Sequence, residues 1–209
     1  MLGRYYLGSG AADQVAPLFV DLSALQRQSR PVLELMALAQ LSGQDHAVAQ
    51  SSLEQLIADN PETAHYHYLL AMAASGAGDQ GKAKRELQEA HRLDNNHIPS
   101  RVARARLALA EQEPEEFDRQ LAALIKLAPD TPDVLRLQAL AAQRTGDSAE
   151  AVGFASRAHA ANPSTQTLLE LAAYQRAAGQ VEASRQLMRQ WIEAHPTDIA
   201  ARLALANQL

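Results

Sequence analysis

The sequence predicts an all-α fold of antiparallel helix pairs, on three observations. Ala, Leu, Gln, Glu and Arg dominate the 209 residues, and all are good helix formers. The strand-favouring aromatic residues amount to only 4%. The third observation is a recurring stop. Proline closes the apolar runs IADNP at Pro61, KLAP at Pro129, AANP at Pro163 and EAHP at Pro196, a pattern that ends helices. Pro129 and Pro163 are 34 residues apart, Pro61 and Pro129 twice 34, and Pro196 follows Pro163 by 33. Asn95, in the matching string RLDN, stands at the skipped step.

The elements follow from that period. Twelve residues before each stop stand Ala49, Ala83, Phe117, Ala151 and Ser184, four of them small enough for two helices to approach closely. Four residues later come Leu53, Leu87, Leu121, Ala155 and Met188. Seven later come Leu56, Ala90, Leu124, Ala158 and Trp191. Together they form the i, i+4, i+7 buried stripe of a second helix. The first helix of each pair is marked by Met36/Ala37, Leu70/Ala71, Gln138/Ala139 and Leu171/Ala172. Gly78-Asp79, Gly146-Asp147 and Gly179-Gln180 read as the turns between helices, with glycine supplying the left-handed conformation a helix end needs. Complete units are expected at 30–63, 64–97, 98–131, 132–164 and 165–198. Leu2, Gly3, Tyr6 and Gly10 repeat the first-helix slots within a partial unit, 1–29, where Val15, Phe19 and Leu22 are expected to continue as a second helix. Residues 199–209 read as the first helix of a further unit.

Five stops in phase, with small-residue slots obeying the same 34-residue period, resemble the tetratricopeptide repeat over nearly the whole chain. The resemblance implies a right-handed α-α superhelix, a solenoid whose concave surface is lined by first helices. It also implies service as a protein-interaction scaffold. The family's signature Trp is replaced by Leu33, His67, Arg101, Leu135 and Leu168. In the unit 98–131, Arg101 and Arg104 fall in nominally buried slots and Phe117 in a small one, so its frame is set only to within one residue. The Ala-, Leu- and Arg-rich style of RARLALAEQEPEEFDRQLAALIKLAPDTPD and QLMRQWIEAHPTDIAARLALANQL is similar to that of the lipoproteins of the PEP-CTERM exosortase system and of exopolysaccharide-secretion scaffolds. That likeness implies a bacterial envelope or periplasmic location and, upstream, a signal or lipid anchor; without it the default is cytoplasmic. The partial units at both ends lead to the expectation of an excised piece of a longer array, with self-association through uncapped ends.

First-helix residues opposite the buried stripe form the candidate partner-binding face: Glu34, Leu38, His65, Tyr68, Met72, Val102, Arg106, Arg136, Gln143, Arg144 and Arg176. The arginines toward the C-terminal half would suit a protein or peptide with acidic side chains, since Arg grips carboxylates bidentately. The same residues would equally make a solvated helix face. The Lys and Asn clamp by which some relatives hold chaperone C-termini has no match at Tyr68, Met72, Val102 and Arg106.

Other functions are disfavoured by composition and motif. No HExxH, Gly-rich phosphate loop or GxSxG occurs, cysteine is absent, and no catalytic, cofactor or metal residue is assigned. His65 and His67 stand i, i+2 apart, which divides them between opposite helix faces, whereas helical metal ligands want i, i+4. A net charge of -5 lacks the basic footprint of a nucleic-acid binder. No apolar run approaches the roughly 18 residues of a membrane span.

Overall fold

The computed structural model of the chain describes residues 1–8, 10–23, 26 and 28–208. Among them are twelve α-helices and no strand. The helices are α1 (Leu2–Gly8), α2 (Arg30–Ser42), α3 (His46–Asp59), α4 (Ala64–Gly76), α5 (Gln80–Leu93), α6 (Ile98–Ala110), α7 (Pro114–Leu127), α8 (Pro132–Thr145), α9 (Ser148–Ala161), α10 (Thr165–Ala177), α11 (Val181–Ala194) and α12 (Ile199–Ala206). The chain divides into two compact units, residues 1–107 and 108–209, with the division inside α6.

One local device recurs through both units. After the first helix of each pair, a residue in the left-handed region lets the following amide reach back five positions, the closure of a Schellman turn. The amides of Asp45, Asp79, Glu113, Asp147 and Gln180 donate to the carbonyls of Gln40, Ala74, Ala108, Ala142 and Gln175, at 2.8–2.9 Å. Ala11 does the same to Tyr6. The pivots are Gly10, Gln44, Gly78, Gln112, Gly146 and Gly179, all with positive φ. With so short a turn, the next helix must fold back on the one before it. Asp79 and Asp147 then cap the returning helices, accepting from the amides of Lys82 and Glu150.

Packing follows the small-residue slots. Ala49, Ala83, Ala151 and Ser184 are essentially without exposed surface, and the stripes Leu53/Leu56, Leu87/Ala90 and Ala155/Ala158 are buried beside them. In residues 1–107, α2, α3 and α4 share a core of Leu33, Ala37, Leu53, Leu56, Tyr66, Leu69, Leu70 and Ala73. In residues 108–209, Leu168, Ala172, Met188 and Ala201 join α10, α11 and α12, with Trp191 and Leu205 packed against them. Burying a Leu or Met side chain contributes about 1.5–3 kcal/mol, so these stripes, more than helix propensity, hold the pairs together.

Two expectations need correction. Val15, Phe19 and Leu22 do not continue as an α-helix; the segment forms two 3-10 turns, Ala12–Gln14 and Ala16–Phe19. Pro17 is the physical reason, because its ring excludes the carbonyl four residues back and it has no amide to donate. Ala24, Leu25 and Arg27 of that stretch lie outside the described residues. In α6, Val102 is buried together with Ser100, Ala105 and Ala108, so it is not a surface residue of the first-helix face. Arg101 instead turns outward and donates from Nε to the Asn95 carbonyl at 2.5 Å. Phe117 fills its small-residue slot completely buried.

Candidate functional site

In residues 1–107 the candidate face is organised by the string HYHY of α4. Tyr66 and His67 point inward. The Tyr66 hydroxyl accepts from Arg30 Nε at 2.9 Å, and the Arg30 guanidinium lies over its ring. His67 places Nδ1 2.8 Å from Glu86 Oε2 and Nε2 3.1 Å from the Pro61 carbonyl. A histidine in the signature Trp slot is thus satisfied as a half-polar core residue.

With 66 and 67 turned inward, His65 and Tyr68 share the other side, one turn apart. Their rings stack with centroids 5.9 Å apart, and His97, the residue before α6, meets each of them edge-on at 5.6 Å. Burial holds the His65 imidazole below its ordinary pKa, with Glu34 acting in the opposite sense. Burial and then the neighbouring His65 lower His97, against the pull of Asp94. Met72 follows Tyr68 by one turn and is exposed, as is Arg106, while Glu34 and Leu38 of α2 are half-buried.

In residues 108–209 the face is cationic but partly neutralised. Arg136 of α8 donates from Nε and Nη2 to the two oxygens of Glu170 on α10, at 2.7 and 2.5 Å. It also donates from Nη1 to Asp133 at 3.2 Å. This fork-on-fork pair raises the guanidinium's pKa further still, chiefly through the Glu170 hydrogen bond. Tyr174 borders it, with burial pushing its hydroxyl pKa up. The expectation of Arg136 as a free grip for a ligand's carboxylate is therefore corrected, since the chain supplies the carboxylate itself. Gln143, Arg144 and Arg176 are exposed. The Arg144 guanidinium lies 4.9 Å above the Phe117 ring, which fixes its stem without burying its charge. Ile199 and Leu203, one turn apart on α12, are exposed apolar residues.

Sequence reasoning missed Glu170, His97 and Ser100. A signal existed for the first, because Arg136 and Glu170 carry opposite charge one repeat apart. Among the described residues, no group of three or more His, Cys, Asp or Glu is arranged to hold a metal ion. Among the same described residues, no helix is long and apolar enough to cross a membrane.

Helix pairs at a 34-residue period, small residues at their crossings and one turn geometry throughout define a class, and comparison with known proteins agrees. The sequence model of the tetratricopeptide repeat matches residues 32–63. A tetratricopeptide repeat is thus present at residues 32–63, and the chain has the helix-pair fold that such repeats build. It is similar to protein HemY of Escherichia coli K12, 31% identical over 157 residues that cover 71% of this chain and 38% of HemY. HemY of Shigella flexneri matches to the same extent, so the chain spans 38% of the length of these curated relatives. Among solved structures, a chain of the APC/C hetero-tetramer Cut9-Hcn1 superposes with a TM-score of 0.80 at 14% identity, covering 99% of this chain and 41% of that one. PilW, a type IV pilus biogenesis factor, gives 0.71 at 13% identity, covering 98% and 95%. The Thermus thermophilus protein TTC0263 gives 0.69 at 17% identity, covering 88% and 98%. At these identities the structures establish the fold.

Proposed function

We propose that the chain is a non-catalytic scaffold that binds a protein or peptide partner along its first-helix faces. One observation carries the reading. Slots that pack are repeated from pair to pair, as Ala49, Ala83 and Ala151, whereas the half-buried and exposed first-helix slots change chemistry at every step. Glu34 and Leu38 give way to His65, Tyr68 and Met72, and later to Gln143, Arg144 and Arg176. A face whose only task was solvation would need no such variety of ring, thioether and guanidinium.

The exposed Arg144 and Arg176, in a unit that also exposes Ile199 and Leu203, suit a partner segment with acidic and apolar side chains. A place in bacterial envelope sorting or exopolysaccharide export is the finer form of this proposal, supported by the style of the repeats. The test is a quantitative pull-down from bacterial envelope extract with the wild-type chain and with Arg144→Glu/Arg176→Glu. Retention of specific proteins is expected to fall at least about tenfold, the equivalent of about 1.4 kcal/mol. Equal retention by both would reject the arginine-lined face.

A second reading, self-association, is favoured by the exposed Leu2, Tyr5, Ile199 and Leu203. Light scattering at increasing concentration separates the two. A mass that stays monomeric removes self-association and leaves the scaffold.

A further inference from the structure

The start of α6 is held by an unusual group. His97 is the residue before the first helical position, Ile98, and its Nδ1 faces two donors of Ser100: the hydroxyl at 2.6 Å and the backbone amide at 3.4 Å. An amide nitrogen can only donate, so Nδ1 must present its lone pair, and the ring is the neutral imidazole with its proton on Nε2. This is the work an Asn, Asp or Ser side chain ordinarily does, accepting from the amide three residues on. Ser100 is fully buried, which makes its donors costly to leave unmet. We propose that His97 is a proton-operated cap: neutral, it holds the first turn of α6 and closes the ring cluster with His65 and Tyr68, and protonated, it releases both.

Three effects act together on protonation. A proton on Nδ1 turns the acceptor into a donor facing the Ser100 amide. A cation is placed at a helix N-terminus, where the dipole disfavours it. A second positive charge also comes 5.6 Å from the centre of the His65 ring. The charged and titratable groups around the cluster are Glu34 from α2, His65 and Tyr68 from α4, Asp94 from the end of α5, and Arg101 on α6 itself. Glu34 and Asp94 favour the protonated rings and are outweighed by burial. With the folded pKa below the unfolded value of 6.5, the stability His97 contributes is complete above that value. It is lost as the pH falls from there toward the folded pKa. The device does not depend on any partner being bound.

The experiment is amide hydrogen exchange by NMR on the 209-residue chain from pH 7.5 to pH 5, with imidazole titrations followed in the same samples. Protection factors at Ser100 and Arg101 are expected to fall on the order of tenfold across this range in the wild type, as local opening of the first turn of α6 becomes more favourable. His97→Asn keeps an acceptor that cannot titrate, so its protection factors should stay level. His65→Phe keeps a ring but removes the neighbouring charge, so the His97 titration should move to higher pH. Level protection in the wild type, an equal fall in His97→Asn, or a wild-type His97 that titrates at or above 6.5 would each overturn the proposal.

Discussion

In residues 1–107 the first-helix face holds Glu34, His65, Tyr68 and Met72, a half-buried cluster of rings beside one exposed thioether. In residues 108–209 it holds Gln143, Arg144 and Arg176, with Arg136 tied to Glu170. The second-helix stripes differ far less: Leu53 and Leu56 in one unit correspond to Leu121 and Leu124 in the other, and all four are buried. Two faces of one helix pair thus answer to different constraints. The inner face must interlock with neighbours of fixed geometry, which leaves few side chains that fit. The outer face meets solvent or a partner and is free to vary.

The sharpest departure from this rule lies on the inner face. Phe117 occupies a slot filled elsewhere by Ala49, Ala83, Ala151 and Ser184, yet it has no exposed surface. Its surroundings in residues 108–209 must therefore be shaped to a ring, and the slot is not interchangeable with its counterparts. Phe117→Ala is expected to cost about 3–5 kcal/mol in urea unfolding, through lost transfer energy and the cavity left behind. The reciprocal Ala151→Phe should cost about 1–3 kcal/mol by overpacking. A loss below about 1 kcal/mol for Phe117→Ala would mean that the slots are equivalent after all.

How far the sequence reveals each face follows from the same constraint. Leu53, Leu56, Ala83 and the turns at Gly78, Gly146 and Gly179 were legible because a 34-residue period fixes residue size and backbone conformation together. Val102 was not, because the outward turn of Arg101 toward the Asn95 carbonyl is decided by local hydrogen bonding, to which a hydrophobic period is blind. Arg136 was misjudged for a related reason. Its availability to a ligand depends on Glu170, and a face assignment made one helix at a time does not register a carboxylate on another helix.

That ion pair gives the next prediction. Arg136 is about four-fifths buried at its side chain and makes two short bonds to Glu170. Arg136→Met would leave the half-buried carboxylate without its guanidinium, at an expected cost of about 1.5–3 kcal/mol. Arg136→Met/Glu170→Met, which removes both charges, should recover part of that loss. A double-mutant cycle by denaturant unfolding measures the coupling. Coupling near zero would show that Arg136 is available to an outside carboxylate, and the contrast between the two faces would then rest on charge rather than on availability.

The smallest effects concern the turns, where the two units agree. Gln44 and Gln112 adopt φ of 63° and 59° at the positions held elsewhere by Gly78, Gly146 and Gly179. A side chain in the left-handed region costs about 1–2 kcal/mol. Glycine removes that strain but adds about 0.5–1 kcal/mol of unfolded-state entropy. The difference leaves Gln44→Gly and Gln112→Gly each more stable than the wild type, by roughly 0.5–1 kcal/mol. Gly146→Gln should lose a similar amount, because a Cβ there meets open space and only the backbone conformation opposes it. Denaturation midpoints with unchanged m-values would measure all three. If either glycine variant proved less stable, the glutamine would have to be contributing a contact of its own, and its turn would no longer be equivalent to the glycine turns.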